Sequence, residues 1–117
     1  MNSINPPILP RLKEKYGLEV ARKWPEVTDP QKFVFEDVAI AAYLITLWRV
    51  KDGDAKPSFV DLGCGNGLLV FILSGEGYPG YGLDVRKRKI WDQYPDTTDL
   101  IEESGTPRSC NGFLNLT

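Results

Sequence analysis

Phe59-Val60-Asp61-Leu62-Gly63-Cys64-Gly65-Asn66-Gly67, running on into Leu68-Leu69-Val70-Phe71-Ile72-Leu73, is the stretch on which the reading of this chain turns. A short run of strand-forming residues meets a cluster of alternating glycines, and an apolar run follows at once. The parse is strand, tight loop, helix. A second turn, Glu76-Gly77-Tyr78-Pro79-Gly80, leads into Tyr81-Gly82-Leu83-Asp84-Val85, another short strand that stops at an acidic residue. These segments make a β-α-β unit. Such a unit implies a parallel sheet with a right-handed crossover, because helix and strand handedness permit the return on that side only. The fold class is therefore α/β.

Upstream, Thr28-Asp29-Pro30 supplies a capping side chain and a proline at the first helical position. Phe33, Val34, Val38, Ala41, Leu44, Ile45 and Trp48 then recur near helical spacing, which predicts a helix over 30–50 closed by Lys51-Asp52-Gly53. Arg11 to Trp24 reads as a short helix, broken at Gly17 and ended by Pro25, behind an extended arm whose first ten residues hold three prolines. Downstream, Arg86 to Tyr94 reads as the start of the next crossover helix. Past Pro95 the chain turns acidic, with Asp96, Asp99, Glu102 and Glu103 opposed only by Arg108, and from Ser104 no period is visible.

Composition narrows the function classes. The chain of 117 residues carries 14 Lys+Arg against 16 Asp+Glu, a net charge of −2, which excludes a strongly basic nucleic-acid coat protein. Hydrophobic residues at 42% and charged residues at 26% are ordinary globular values. The apolar run Val38 to Trp48, interrupted by Thr46, is about half the length a membrane-crossing helix needs, so it is expected as a buried helix. The N-terminus lacks the basic start and apolar stretch of a secretory signal, and Cys64 and Cys110 have no metal-ligand spacing, so a reduced, cytoplasmic setting is expected. Histidine is absent, which removes imidazole as base, nucleophile activator or metal ligand in this chain.

The chemistry sits in the glycine loop and its acidic partner. Where a parallel strand feeds a helix through glycines, the backbone can approach an adenosine cofactor with no Cβ in the way. Asp84, at the carboxyl end of the neighbouring strand, can accept hydrogen bonds from both ribose hydroxyls. Asp61 adds negative charge under the loop, suited to a cofactor carrying an ammonium or sulfonium. A dinucleotide loop would place its third glycine at position 68, where this chain has Leu68; glycine comes one step early, at Gly67. The form D-x-G-x-G-x-G instead resembles motif I of class I methyltransferases, with Asp84 at the motif II position. The bland alternative is that Gly63, Gly65 and Gly67 only permit a sharp turn; the coincidence with Asp84 argues against it. Cys64 reads as a small loop-filling residue, since no basic neighbour would lower its pKa.

Trp24-Pro-Glu-Val-Thr-Asp-Pro-Gln-Lys-Phe-Val-Phe-Glu-Asp-Val-Ala-Ile-Ala-Ala-Tyr-Leu, then Phe59 to Val70, then Gly82-Leu-Asp-Val-Arg-Lys-Arg-Lys-Ile-Trp-Asp together resemble the eukaryotic tRNA (uracil-2′-O-)-methyltransferase family, from about Arg11 to Tyr94. The glycine loop alone marks the superfamily, whereas the Phe-Glu-Asp helix and the Asp-Val-Arg-Lys-Arg-Lys-Ile-Trp segment are more particular to this group. The resemblance implies the N-terminal part of a Rossmann-like class I methyltransferase fold with an incomplete parallel sheet. It implies S-adenosylmethionine held by Asp61, Gly63, Cys64, Gly65, Gly67 and Asp84, and methylation of a uridine 2′-oxygen in serine tRNA. Family members continue well past this point, and the sequence after about Glu103 departs from them as an alternative exon or truncated product would.

The chain accordingly divides into an arm with a short helix (1–29), a partial S-adenosylmethionine-binding domain (30–95) and an acidic, loosely ordered tail (96–117). With only two strands placed, helices 30–50 and 68–76 should leave apolar surface exposed, and an uncovered sheet edge invites association. Arg86, Lys87, Arg88 and Lys89 read as a solvated face ahead of a phosphate-binding one, and Trp48 and Trp91 as core ahead of base-stacking groups. No residue can be assigned as catalytic base. Two functions stay open: a tRNA ribose methyltransferase, or a non-catalytic cofactor-binding or partner-binding fragment of one.

Overall fold

The computed structural model of the chain describes residues 7–26, 29–103 and the backbone of 114–115. Four strands form one sheet: β1 Phe59–Leu62, β2 Gly80–Asp84, β3 Leu100–Glu102 and β4 Leu114–Asn115, in the order β3-β2-β1-β4. Every neighbouring pair is parallel, with Asp61 opposite Gly82 and Leu62 opposite Leu83 in the central pair. This corrects the expectation of two strands. β3 falls inside the acidic stretch from 96, where three residues with one acid carry no readable period; its partner lies on β2, remote in sequence. The sheet nevertheless remains small, and its order puts β2 and β3 on one side of β1 and β4 on the other. In open parallel sheets a ligand crevice forms at the carboxyl ends of such strands.

The crossover helix, α4 (Leu68–Gly75), is apolar nearly all round and buries Leu68, Leu69, Val70, Ile72 and Leu73. Alongside it runs α3 (Pro30–Asp52), which buries Val34, Val38, Ala41, Ala42, Ile45 and Trp48. Asp29 caps α3 by accepting a hydrogen bond from the Gln31 N–H at 3.0 Å, and Pro30 takes the first helical position as expected; Thr28 lies outside the described residues. Gly53 closes the helix, its N–H donating to the Arg49 carbonyl at 3.0 Å. On the outer side of α3, Ile40, Tyr43, Leu47 and Val50 are exposed, the uncovered apolar surface that a partial sheet leads one to expect. Trp48 and Trp91 are both buried, and Trp48 packs on Tyr78 with ring centroids 5.0 Å apart.

The N-terminal segment departs from the sequence reading. Helix α1 (Ile8–Leu12) passes through a π-helical turn at Lys13–Gly17 into α2 (Leu18–Arg22), so the expected extended arm is helical from residue 8. Pro7 sits at the cap and Pro10 in the first turn, where a missing N–H breaks no intrahelical bond. Gly17 does not break the helix. A Cβ there would lie 2.8 Å from the Phe35 ring, so glycine instead lets this helix press against α3.

Glu76, which caps the far end of α4, ties the N-terminal helices down. Its carboxylate accepts hydrogen bonds from Arg11 Nη2 (2.7 Å), Lys15 Nζ (3.0 Å) and Tyr16 Oη (2.7 Å). Burial pushes this acid up, but those three donors and the Arg11 charge outweigh it and bring it down to about 2. Among the described residues no helix is long and apolar enough to cross a membrane.

Candidate cofactor site

The loop between β1 and α4 bends through Gly63, Gly65 and Gly67, at φ of +76°, +58° and +79°. Side chains are strained in this left-handed region. At Gly67 space is lacking too: a Cβ would come within 2.7 Å of Leu100 on β3. At Gly65 nothing lies within 4 Å of the Cβ position, so the turn exposes bare backbone to a ligand.

The loop's amides are largely committed. The Gly63 and Cys64 N–H groups donate to the Leu83 carbonyl at 2.8 and 2.9 Å, and the Gly67 N–H donates to the Cys64 carbonyl at 3.0 Å. The Gly65 N–H donates to Asp84 Oδ2 at 2.7 Å, and the Leu68 N–H donates to Asn66 Oδ1 at 2.8 Å. Two side chains grip the loop from its other side: Trp91 Nε1 donates to the Gly65 carbonyl at 2.8 Å and Tyr94 Oη to the Asn66 carbonyl at 3.0 Å. Both come from 86–94, expected as a crossover α-helix. The structure corrects this to a 3₁₀ turn at Lys89–Gln93, with Tyr94 extended ahead of Pro95, as a residue preceding proline prefers.

Asp84 is lowered from the ordinary carboxylate value. Burial acts upward, but backbone N–H groups of Gly65, Arg86 and Val85 and the Arg88 charge prevail. Arg88 Nη1 stands 3.9 Å from Asp84 Oδ2, and Lys87 pairs with Asp92 at 2.7 Å. Asp61, 6% exposed, is raised by burial and then by the Asp84 charge to about 6. Burial also raises Asp37, on α3, to about 6; the Asn66 amide offsets part of this, while Asp61 and Glu36 add to it. The Cys64 thiol is pushed up to about 12, first by burial, which leaves it inert as a nucleophile at neutral pH. It fills the loop instead: a Cβ on Gly82 would meet Cys64 at 2.8 Å.

Asp61, Gly63, Cys64, Gly65, Gly67 and Asp84 thus gather at the carboxyl end of β1 and β2. The sequence did not mark Asp37, Asn66, Trp91 or Tyr94 as site residues. A signal existed: Asp37 lies in the Phe-Glu-Asp helix, and Trp91 in the segment that, with it, sets the family resemblance apart. Beside the loop lies a cleft of about 180 Å³ lined by Trp24, Glu26, Phe33, Gly65, Asn66 and Arg88.

A parallel sheet, a glycine loop with open space at Gly65 and an acid bonded to it from the next strand define the nucleoside-binding half of an α/β enzyme fold. The family model described as predicted AdoMet-dependent methyltransferase matches residues 7–107, and the chain belongs to this family. S-adenosylmethionine is the cofactor of the family, and the bare backbone and carboxylates found here fit it.

Relatives are similar over most of the chain. The human probable tRNA (uracil-O(2)-)-methyltransferase is 63% identical over 90% of this chain, and the Schizosaccharomyces pombe tRNA (uracil-O(2)-)-methyltransferase is 59% identical over 72%. The Neurospora crassa protein of that name is 54% identical over 90%. The chain spans only 14%, 17% and 21% of those three proteins. No solved structure matches.

Proposed function

We propose that this chain is the cofactor-binding part of a tRNA ribose methyltransferase that acts in the cytoplasm on a uridine 2′-oxygen of serine tRNA. The observation that carries the reading is the 2.7 Å bond from the Gly65 N–H to Asp84 Oδ2, which brings the bare turn and the acid into one grip. Asp84 keeps acceptor capacity, since the Arg86 N–H reaches its Oδ1 only at a long 3.4 Å and a carboxylate has about four acceptor positions, which ribose hydroxyls can use. Asp61 and Asp37 supply negative charge toward the cationic end of the cofactor. When bound, S-adenosylmethionine supplies the activated methyl group.

Methyl transfer to a ribose hydroxyl needs a held donor, an aligned 2′-oxygen and a proton acceptor. The described residues build the first of these. Much reduced or absent turnover on unmodified serine tRNA is therefore expected of the isolated chain in a methylation assay, alongside measurable binding of S-adenosylhomocysteine by calorimetry. Asp84→Ala should weaken that binding by about 1–3 kcal/mol. Absence of binding in a folded sample would remove the cofactor role.

A second reading, a partner-binding fragment without catalysis, is favoured by the exposed row Ile40, Tyr43, Leu47 and Val50. A monodisperse monomer at high concentration counts against self-association through it.

A further inference from the structure

The run Arg86-Lys87-Arg88-Lys89 is basic throughout, yet its members do not share one environment. Arg86, Lys87 and Lys89 are exposed, and Lys87 pairs with Asp92. Arg88 is the exception. Its side chain is 30% exposed and lines the cleft of about 180 Å³ beside Gly65, together with Glu26, Trp24, Phe33 and Asn66. Its Nη1 is buried and has no hydrogen-bond partner among the described residues, since Asp84 Oδ2 stands 3.9 Å away, beyond hydrogen-bonding reach. A buried donor without an acceptor is costly, and a ligand oxygen would satisfy it. Glu26 is the second charged group of the cleft. Its Oε2 accepts a hydrogen bond from the Ile90 N–H at 3.2 Å, which anchors it to the 3₁₀ turn two residues past Arg88. One such bond leaves a carboxylate with acceptor positions to spare. The cleft thus offers one group of each sign, with Trp24 and Phe33 as apolar lining.

The chemistry of an occupant follows from what the cleft has and what the loop lacks. The N–H groups of Gly63, Cys64, Gly65, Gly67 and Leu68 are all taken, so the turn has few backbone donors for an anion, and a phosphate would also meet the Glu26 charge. An α-amino acid carries a carboxylate and an ammonium on one carbon and is neutral overall, which suits Arg88 and Glu26 together. The volume lies below the roughly 300–1,000 Å³ of a pocket that encloses a whole drug-sized ligand, so it takes a terminal group and not the nucleoside. We propose that the cleft is an α-amino-acid site, in which Arg88 pairs with the carboxylate and Glu26 with the ammonium at the end of S-adenosylmethionine. This rests on the reading of the loop as an S-adenosylmethionine site, and assigns to two side chains the end of the ligand that the glycines and Asp84 do not hold.

The test is calorimetric titration of the 117-residue chain with S-adenosylhomocysteine, with its decarboxylated analogue, and with 5′-methylthioadenosine, which has the nucleoside but no amino-acid end. In the wild-type chain the decarboxylated analogue should bind about tenfold more weakly than S-adenosylhomocysteine; equal affinities overturn the proposal without any variant having to fold. Arg88→Met should weaken S-adenosylhomocysteine about tenfold and leave the other two probes unchanged. Glu26→Gln, which keeps an acceptor for the Ile90 N–H, should weaken both probes that carry the ammonium about three- to tenfold and spare 5′-methylthioadenosine. Lys51→Met, the same loss of charge at the exposed far end of α3, should change none of the three. In Arg88→Met, no loss on S-adenosylhomocysteine, or an equal loss on all three probes as a role confined to holding Asp84 would give, overturns the proposal and leaves the cofactor reading standing. Binding of none of the three by a folded wild-type chain overturns both.

Discussion

Glu76, at the end of α4, contrasts with Asp61 on β1 and Asp37 on α3: all three are carboxylates, and their surroundings drive them in opposite directions. Glu76 meets Arg11, Lys15 and Tyr16 and falls to about 2. Asp37 and Asp61 meet burial and like charge and rise to about 6. Burial acts upward on all three, so the difference lies in what the fold brings to each. At Glu76 it supplies every partner that the acid needs, and the cluster works as a clasp between the N-terminal helices and α4. At the loop the one cation it brings, Arg88, stands beside Asp84, and the charges acting on Asp61 and Asp37 are those of other carboxylates.

The largest effect should come from the clasp. Glu76→Ala removes the acceptor of three donors, of which the buried Tyr16 hydroxyl is the least able to turn to water, and is expected to cost about 2 kcal/mol at pH 7 in urea unfolding. A loss below about 0.5 kcal/mol would break the contrast, since that is what an exposed ion pair returns. Next come the loop acids. Because their folded values lie above the ordinary ones, each opposes folding increasingly as pH rises from about 4 through 6, and Asp37→Asn or Asp61→Asn should raise the stability of the cofactor-free chain at pH 7 by about 1 kcal/mol. Glu76 has the opposite sign: its contribution is present above its ordinary value of 4.5 and is lost as pH falls toward 2. The cofactor-free chain should thus melt highest near pH 5, and a melting temperature that rises steadily from pH 5 to 8 would contradict this. The smallest effect belongs to Lys15→Ala. Lys15 is 52% exposed, and its loss should cost less than about 1 kcal/mol, shrinking further in 0.5 M salt by the same urea measurement.

Legibility followed locality. The loop, α4, β1, β2 and α3 announce themselves through glycines, caps and apolar spacing within a few residues of each other. Asp61 and Asp84 could be placed because each ends or lines a readable strand. Asp37, Trp91 and Tyr94 could not, since what makes them part of the site is the packing of α3 and of the 3₁₀ turn on a loop far away in sequence. β3 escaped for the same reason: Leu100 belongs under Gly67 only once the sheet exists. The π-helical turn was hidden behind a glycine whose local reading, a helix break, is overruled by its contact with Phe35. Two of the four missed side chains, Asp37 and Trp91, lie in the stretches that distinguish the family from its superfamily, which gives those stretches a physical meaning: they pack on the loop.

Glycine-rich segments are costly to order, since they surrender the most backbone freedom. Here that cost falls on folding, because Asp84, Asn66, Trp91 and Tyr94 already fix the turn. A nucleoside arriving at a turn so pre-organised spends little of its affinity on arranging its host, and its rate of capture is set by encounter and desolvation rather than by waiting for a mobile loop to settle.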